Sequence, residues 1–82
     1  MQLEILTPTK NIFSGEVKLV KVPGSKGSFE IMKNHAAIIS TLTSGELKVE
    51  TESGETLRYQ TSGGTVEAKS NHIVVLAESI TE

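Results

Sequence analysis

The residues best suited to chemistry are concentrated between Val22 and Ser40, in VPGSKGSFEIMKNHAAIIS. This stretch holds a glycine-rich tip with Lys26, the carboxylate of Glu30 and one of the chain's two histidines, His35. A lysine among glycines is what a phosphate loop uses, and a histidine near a carboxylate is what a general base uses. Neither pattern is complete. A Walker loop needs four residues between its first glycine and a Gly-Lys pair, followed by a helix whose amides hold the phosphates. Here the lysine precedes the second glycine, and a β-like run follows it.

The other reactive residues are equally isolated. His72 and His35 lie far apart in sequence, and neither has the short-range companions of a metal site. A Ser-His-Asp triad needs an aspartate, and the chain has none; no G-x-S-x-G elbow offers a nucleophile for a glutamate-assisted variant. Glu50 and Glu52 are paired carboxylates only in the sense of alternate strand positions facing water. Without cysteine there is no thiolate nucleophile, no thiolate zinc site and no disulfide. The residues therefore argue against catalysis and imply no cofactor and no metal.

The 82 residues fit one small domain, 1–82, and a domain of that size buries only about 60 to 65% of its unfolded surface, so a partner is expected to add to its stability. The formal charge is −2 with the signs interspersed, so the clustered lysines and arginines of a nucleic-acid footprint are missing. Tyr59, Phe13 and Phe29 are too scattered to stack bases. No stretch approaches the roughly 20 apolar residues of a membrane span, and MQLEILTPTK has no signal-peptide pattern, which predicts a soluble chain without lipid insertion.

The dominant period is two. LEIL, GELKVET, ETLRYQT and GTVEAK alternate apolar and polar residues, the pattern of strands with one wet and one buried face. VKLVKV changes phase midway, which a bulge near Leu19 and Val20 would reconcile. HIVVLAE is apolar at both parities, as in a central strand covered on both faces. Turn residues recur about every eight to ten positions. In NHAAIISTLTSG, Asn34 could cap a short helix, but the β-branched Ile-Ile-Ser-Thr run favours a strand. No segment has the helical periodicity to cover a sheet, so two sheets must cover each other. The expectation is all-β: a small antiparallel β-sandwich of about nine to ten short strands.

The segment from Ser25 to Thr41 sets small polar residues beside Phe29, Ile31 and Met32. A loop with embedded hydrophobes and no reaction chemistry suits recognition better than catalysis. Here the sequence resembles the N-terminal β-sandwich domain of the epsilon subunit of F-type ATP synthases, called delta in mitochondria. The family opening, L-x-(I/V)-(L/V)-(S/T)-P then (L/I/M)-(F/Y)-S-G, is present as LEILTP and IFSGEV. The family signature (L/V)-P-G-x-x-G-x-F-G-I-L-P-G-H-A-P-L reads VPGSKGSFEIMKNHAAI, and the closing element reads SGGTVEA and NHIVVLAE.

The resemblance implies a non-catalytic rotor component at the foot of the central stalk, held by the gamma subunit and the membrane c-ring, coupling ion translocation to ATP synthesis. It implies a peripheral position on the cytoplasmic face of a bacterial inner membrane. Carried over by position, Ser25, Lys26, Gly27 and Ser28, with Glu30 on the strand leaving the loop, correspond to the c-ring contact; Thr7, His35 and Ser40 correspond to the gamma contact. Glu30 stands where the family has glycine, and it is expected to replace an acid that the family often carries at position 28. Lys33-Asn34 stands where the family has Pro-Gly, and asparagine tolerates the left-handed backbone that glycine allows. Ala37 and Thr43-Ser44 replace prolines, which predicts looser loops. Many relatives continue into two C-terminal helices; this chain ends at Glu82, so neither inhibition nor nucleotide binding through such a hairpin is expected of it. The competing reading is a free-standing β-sandwich that binds a small ligand at its glycine-rich loop.

Overall fold

A computed structural model describes residues 1–81. Nine strands follow one another: β1 (Gln2–Leu6), β2 (Asn11–Val22), β3 (Phe29–Met32), β4 (Ile38–Leu42), β5 (Gly45–Thr51), β6 (Thr56–Thr61), β7 (Gly64–Lys69), β8 (His72–Ala77) and β9 (Ile80–Thr81). The described residues contain no helix, and Ile38–Leu42 forms a strand, as its β-branching favours.

β2 belongs to both layers. Its first half pairs with β1, extending the order β4-β7-β8-β1-β2, which we call sheet A; its second half pairs with β3 and β5, and β6 and β9 complete sheet B. Twelve residues in one strand depart from the expectation of uniformly short strands, and they let one element hold both sheets. Beyond β2, a bridge between Gly24 and Leu42 ties the strand's end to β4 on the far edge of sheet A.

The phase change in VKLVKV is an irregularity between Val17 and Leu19, just ahead of the expected position. Val17 faces Thr51 in the interior, Leu19 turns to the outer row with Glu50 and Met32, and Val20 returns inward against Val49 and Ile31. One extra residue thus swaps the strand's faces as it passes from one sheet to the other.

The two inner faces meet in one aliphatic core that includes Leu3, Ile5, Val66 and Val75 from sheet A and Val20, Ile31, Leu47 and Val49 from sheet B, all essentially inaccessible to water. The buried Thr61 hydroxyl donates to the Gly63 carbonyl at 3.0 Å and accepts from the Gly63 amide at 3.1 Å, so its polar atom is satisfied within the turn.

Two features of β8 differ from the expectations. It lies centrally, between β7 and β1, but runs parallel to β1, in register from Gln2 with His72 to Leu6 with Leu76. It is also covered on one face only: Ile73, Val75 and Ala77 are buried, Val74 is half-buried and Leu76 is 53% exposed. The apolar residues at both parities reflect an outer face that nothing among the described residues covers, instead of burial on both sides.

Candidate functional site

The tip between β2 and β3 is a turn shaped by two glycines. Gly27 has φ +127°, a left-handed-side conformation that side chains disfavour, and its amide donates to the Gly24 carbonyl at 2.9 Å. A Cβ at Gly24 would lie 2.7 Å from the Gly27 carbonyl oxygen and 2.8 Å from the Phe29 ring, so the backbone closes here only without a side chain. β4 holds the tip from the side. The Ser25 amide donates to the Thr41 carbonyl at 3.0 Å, the Ser25 and Thr41 hydroxyls share a hydrogen bond of 2.8 Å, and the Thr43 amide donates to the Pro23 carbonyl at 2.8 Å. The Thr43 side of the loop is therefore pinned despite lacking the family's proline.

Beside the tip is an open depression of about 640 Å³ lined by Ser25, Lys26, Gly27, Ser28 and Ser40, among others. It brings the four loop residues of the expected c-ring set together and adds Ser40 from the expected gamma set. The Ser25 hydroxyl at its rim is already bonded to Thr41.

Glu30 is elsewhere. It is exposed on the outer face of sheet B, directly across from Lys21, with Lys48 and Arg58 continuing the row on β5 and β6. Arg58 Nη1 donates to Glu46 Oε1 at 2.8 Å. This face is a lattice of exposed charge, with Met32 its one large exposed hydrophobe.

The expected gamma residues are spread around sheet A. Thr7 follows β1, and its hydroxyl caps the turn by accepting the Lys10 amide at 3.1 Å. His35 follows β3 at the other end of the sheet, near Asn71 and His72, and its Nδ1 lies 2.7 Å from the Ala36 carbonyl oxygen. Gln2 and Leu6 are thus at opposite ends of β1, and the positions of Thr7 and His35 are separated by about 17 Å of strand. The turn that carries His35 survives the loss of Pro-Gly as the residue type predicts: Asn34 adopts φ 66°, and its amide donates to Asn71 Oδ1 at 2.7 Å while Asn71 Nδ2 donates back to Asn34 Oδ1 at 3.2 Å.

His72, at the start of β8, pairs with Glu4 Oε2 at 2.7 Å on the outer face of sheet A. That face carries what the sequence reading missed. Ile39 is 75% exposed and Leu76 53%, and the cross-strand rows set them among Val74, Leu6, Thr41 and Thr65, with Glu67 and Glu4 interspersed. The signal was HIVVLAE itself, whose second apolar parity has no layer to pack on among the described residues.

Among the described residues no group of three His or acidic side chains is placed to hold a metal ion, and no helix is long and apolar enough to cross a membrane. The site defined by this geometry is one of surfaces: a β-sandwich with a pinned polar loop at one end and an uncovered apolar sheet face.

The sequence comparisons supply the family. The model of the "ATP synthase, Delta/Epsilon chain, beta-sandwich domain" matches residues 1–82, and the chain belongs to that family. It is 38% identical over 79 residues to the ATP synthase epsilon chain of Chlorobium limicola, covering 96% of this chain and 90% of that one. It is 35% identical over 78 residues to the ATP synthase epsilon chain of Pelotomaculum thermopropionicum, of whose length it spans 58%. In fold it is similar to a chain of the Euglena gracilis mitochondrial ATP synthase, with a TM-score of 0.90 and 21% identity over 96% of this chain and 51% of that one.

Proposed function

We propose that residues 1–82 form one non-catalytic rotor domain of an F-type ATP synthase, linking the gamma subunit to the c-ring so that ion translocation is coupled to ATP synthesis. The proposed location is the cytoplasmic face of a bacterial inner membrane, held there by the complex. Family membership over the whole sequence supports the class of role. The observation that carries the assignment of surfaces is the uncovered face of sheet A: Leu76 and Ile39 are exposed in rows that would otherwise be expected to be polar. That face receives gamma, with Thr7, His35 and Ser40 around its perimeter. The tip, Ser25 to Ser28, receives the polar loops of the c-ring. Its turn is fixed before binding by Gly24, Gly27 and the bonds to β4, so little ordering entropy opposes the contact.

Glu30 extends the tip's reach along the outer face of sheet B toward a basic or polar c-ring loop. Lys21 across the strand moderates its charge. Glu30→Lys is expected to weaken c-ring binding at low salt; unchanged binding would remove Glu30 from the contact. The role as a whole is tested by co-expression with gamma and then with the c-ring. A stoichiometric complex is expected, and its absence would overturn the reading.

A further inference from the structure

Three of the sandwich's strand edges, those of β9, β3 and β4, are protected unequally. β9 is two residues long, and β3 carries Glu30 in its middle. Short edges and edge charges are the usual guards against pairing with another chain. β4, Ile-Ile-Ser-Thr-Leu, has no charge, no proline and no glycine.

Its hydrogen-bonding pattern shows which half is open. Ser25 donates to the Thr41 carbonyl from the side away from β7, so the main-chain groups of Thr41 point outward. In an antiparallel ladder this orientation repeats every second residue, so the N–H and C=O of Ile39 also point away from β7. The tip loop occupies the edge at Thr41 and Leu42 but stops short of Ile39, and among the described residues no hydrogen bond reaches the Ile39 main chain from that side. Depressions flank this half-edge, one toward the tip with Lys26 on its rim and one toward β7 with Lys69 on its rim. β4 itself is uncharged, and Glu67 is the one acid lining either depression.

Resting on the rotor reading, we infer that the Ile39 half of β4 is a strand-addition site: an extended segment of gamma adds to sheet A at this edge. The free N–H and C=O of Ile39 supply main-chain pairing, and the exposed Ile39 side chain demands an apolar residue opposite it. Lys69, on the rim of the depression toward β7, selects a carboxylate at one end of the incoming segment. His35 precedes this half-edge and Ser40 closes it, so the strand would occupy the span between two of the expected gamma contacts.

Amide hydrogen exchange on the chain alone and in its complex with gamma tests the inference. In the free chain the Ile39 amide should exchange rapidly while that of Ser40, directed toward β7, is slow; in the complex the Ile39 amide should slow by about 100-fold or more. Ile39→Pro removes this outward N–H without touching the ladder to β7, and it should abolish the complex, whereas Ile39→Thr, which keeps the N–H, should weaken it by about tenfold or less. A complex in which the Ile39 amide still exchanges rapidly would overturn strand addition and leave the rotor reading standing. No complex with gamma at all would overturn both. Slowing of the same amide in the chain alone as its concentration rises would assign the edge to a second copy and overturn the inference.

Discussion

The two sheets present the same kind of surface to each other and opposite kinds to the outside. On sheet B the outer rows run Glu30, Lys21, Lys48, Arg58, with Glu46 and Glu50 beside them. On sheet A they run Ile39, Glu67, Val74, Glu4 and Thr41, Thr65, Leu76, Leu6. Both sheets obey a two-residue period, so periodicity alone does not distinguish them. The distinction lies in what occupies the second parity: charged residues fill it on sheet B, and exposed aliphatic residues interrupt it on sheet A.

The largest effect on this comparison is expected at two glycines. Gly64, in sheet A, has φ +149°, and a Cβ there would sit 2.1 Å from the Leu76 carbonyl oxygen. Gly64→Ala should cost more than about 4 kcal/mol, since backbone must move. Gly45, at the start of β5, meets the Pro23 ring, whose Cβ would lie 2.8 Å from the added one and must shift with its own backbone, and Gly45→Ala should cost about 1–3 kcal/mol. Urea unfolding of both variants checks the ranking.

The inner faces should respond alike. Leu3 of sheet A and Leu47 of sheet B are both fully buried, so Leu3→Ala and Leu47→Ala should each lower stability by about 2–5 kcal/mol in the same titration. A large inequality would mean that one sheet holds the core without the other.

A smaller effect is expected where the sheets are laced together. Asn34 and Asn71 bond reciprocally between the end of β3 and the β7–β8 turn. Asn34→Ala should cost about 1 kcal/mol, and Asn34→Gly less, because glycine accepts the φ of 66°. The smallest belongs to the charged face. Arg58→Ala breaks an exposed pair with Glu46 and should change stability by less than about 1 kcal/mol, an effect that salt erases.

Most of the fold was legible because alternation and turn residues are local signals. Leu47 and Val49, Leu57 and Tyr59, Val66 and Ala68 named their strands directly, and IISTL revealed a strand through β-branching. What escaped was relational. Nothing in HIVVLA says that its neighbour β1 runs parallel to it, and nothing says whether its second apolar parity is covered by the same chain or by another. The loop residues Ser25 to Ser28 were found as a unit because a turn is contiguous. Thr7, His35 and Ser40 lie in three separate segments, after β1, after β3 and within β4, and only the folded sheet sets them at its two ends and along its β4 edge.

The central claim, that sheet A's outer face meets gamma while sheet B's does not, is tested most directly by the affinity of gamma for Leu76→Lys set against Lys48→Glu. Both positions are on outer faces, so either variant should fold within about 0.5 kcal/mol of the parent. Leu76→Lys is expected to weaken gamma binding by at least about tenfold, or 1.4 kcal/mol, and Lys48→Glu to leave it within about twofold. The reverse ranking, with Leu76→Lys binding like the parent and Lys48→Glu failing to bind, would contradict the account.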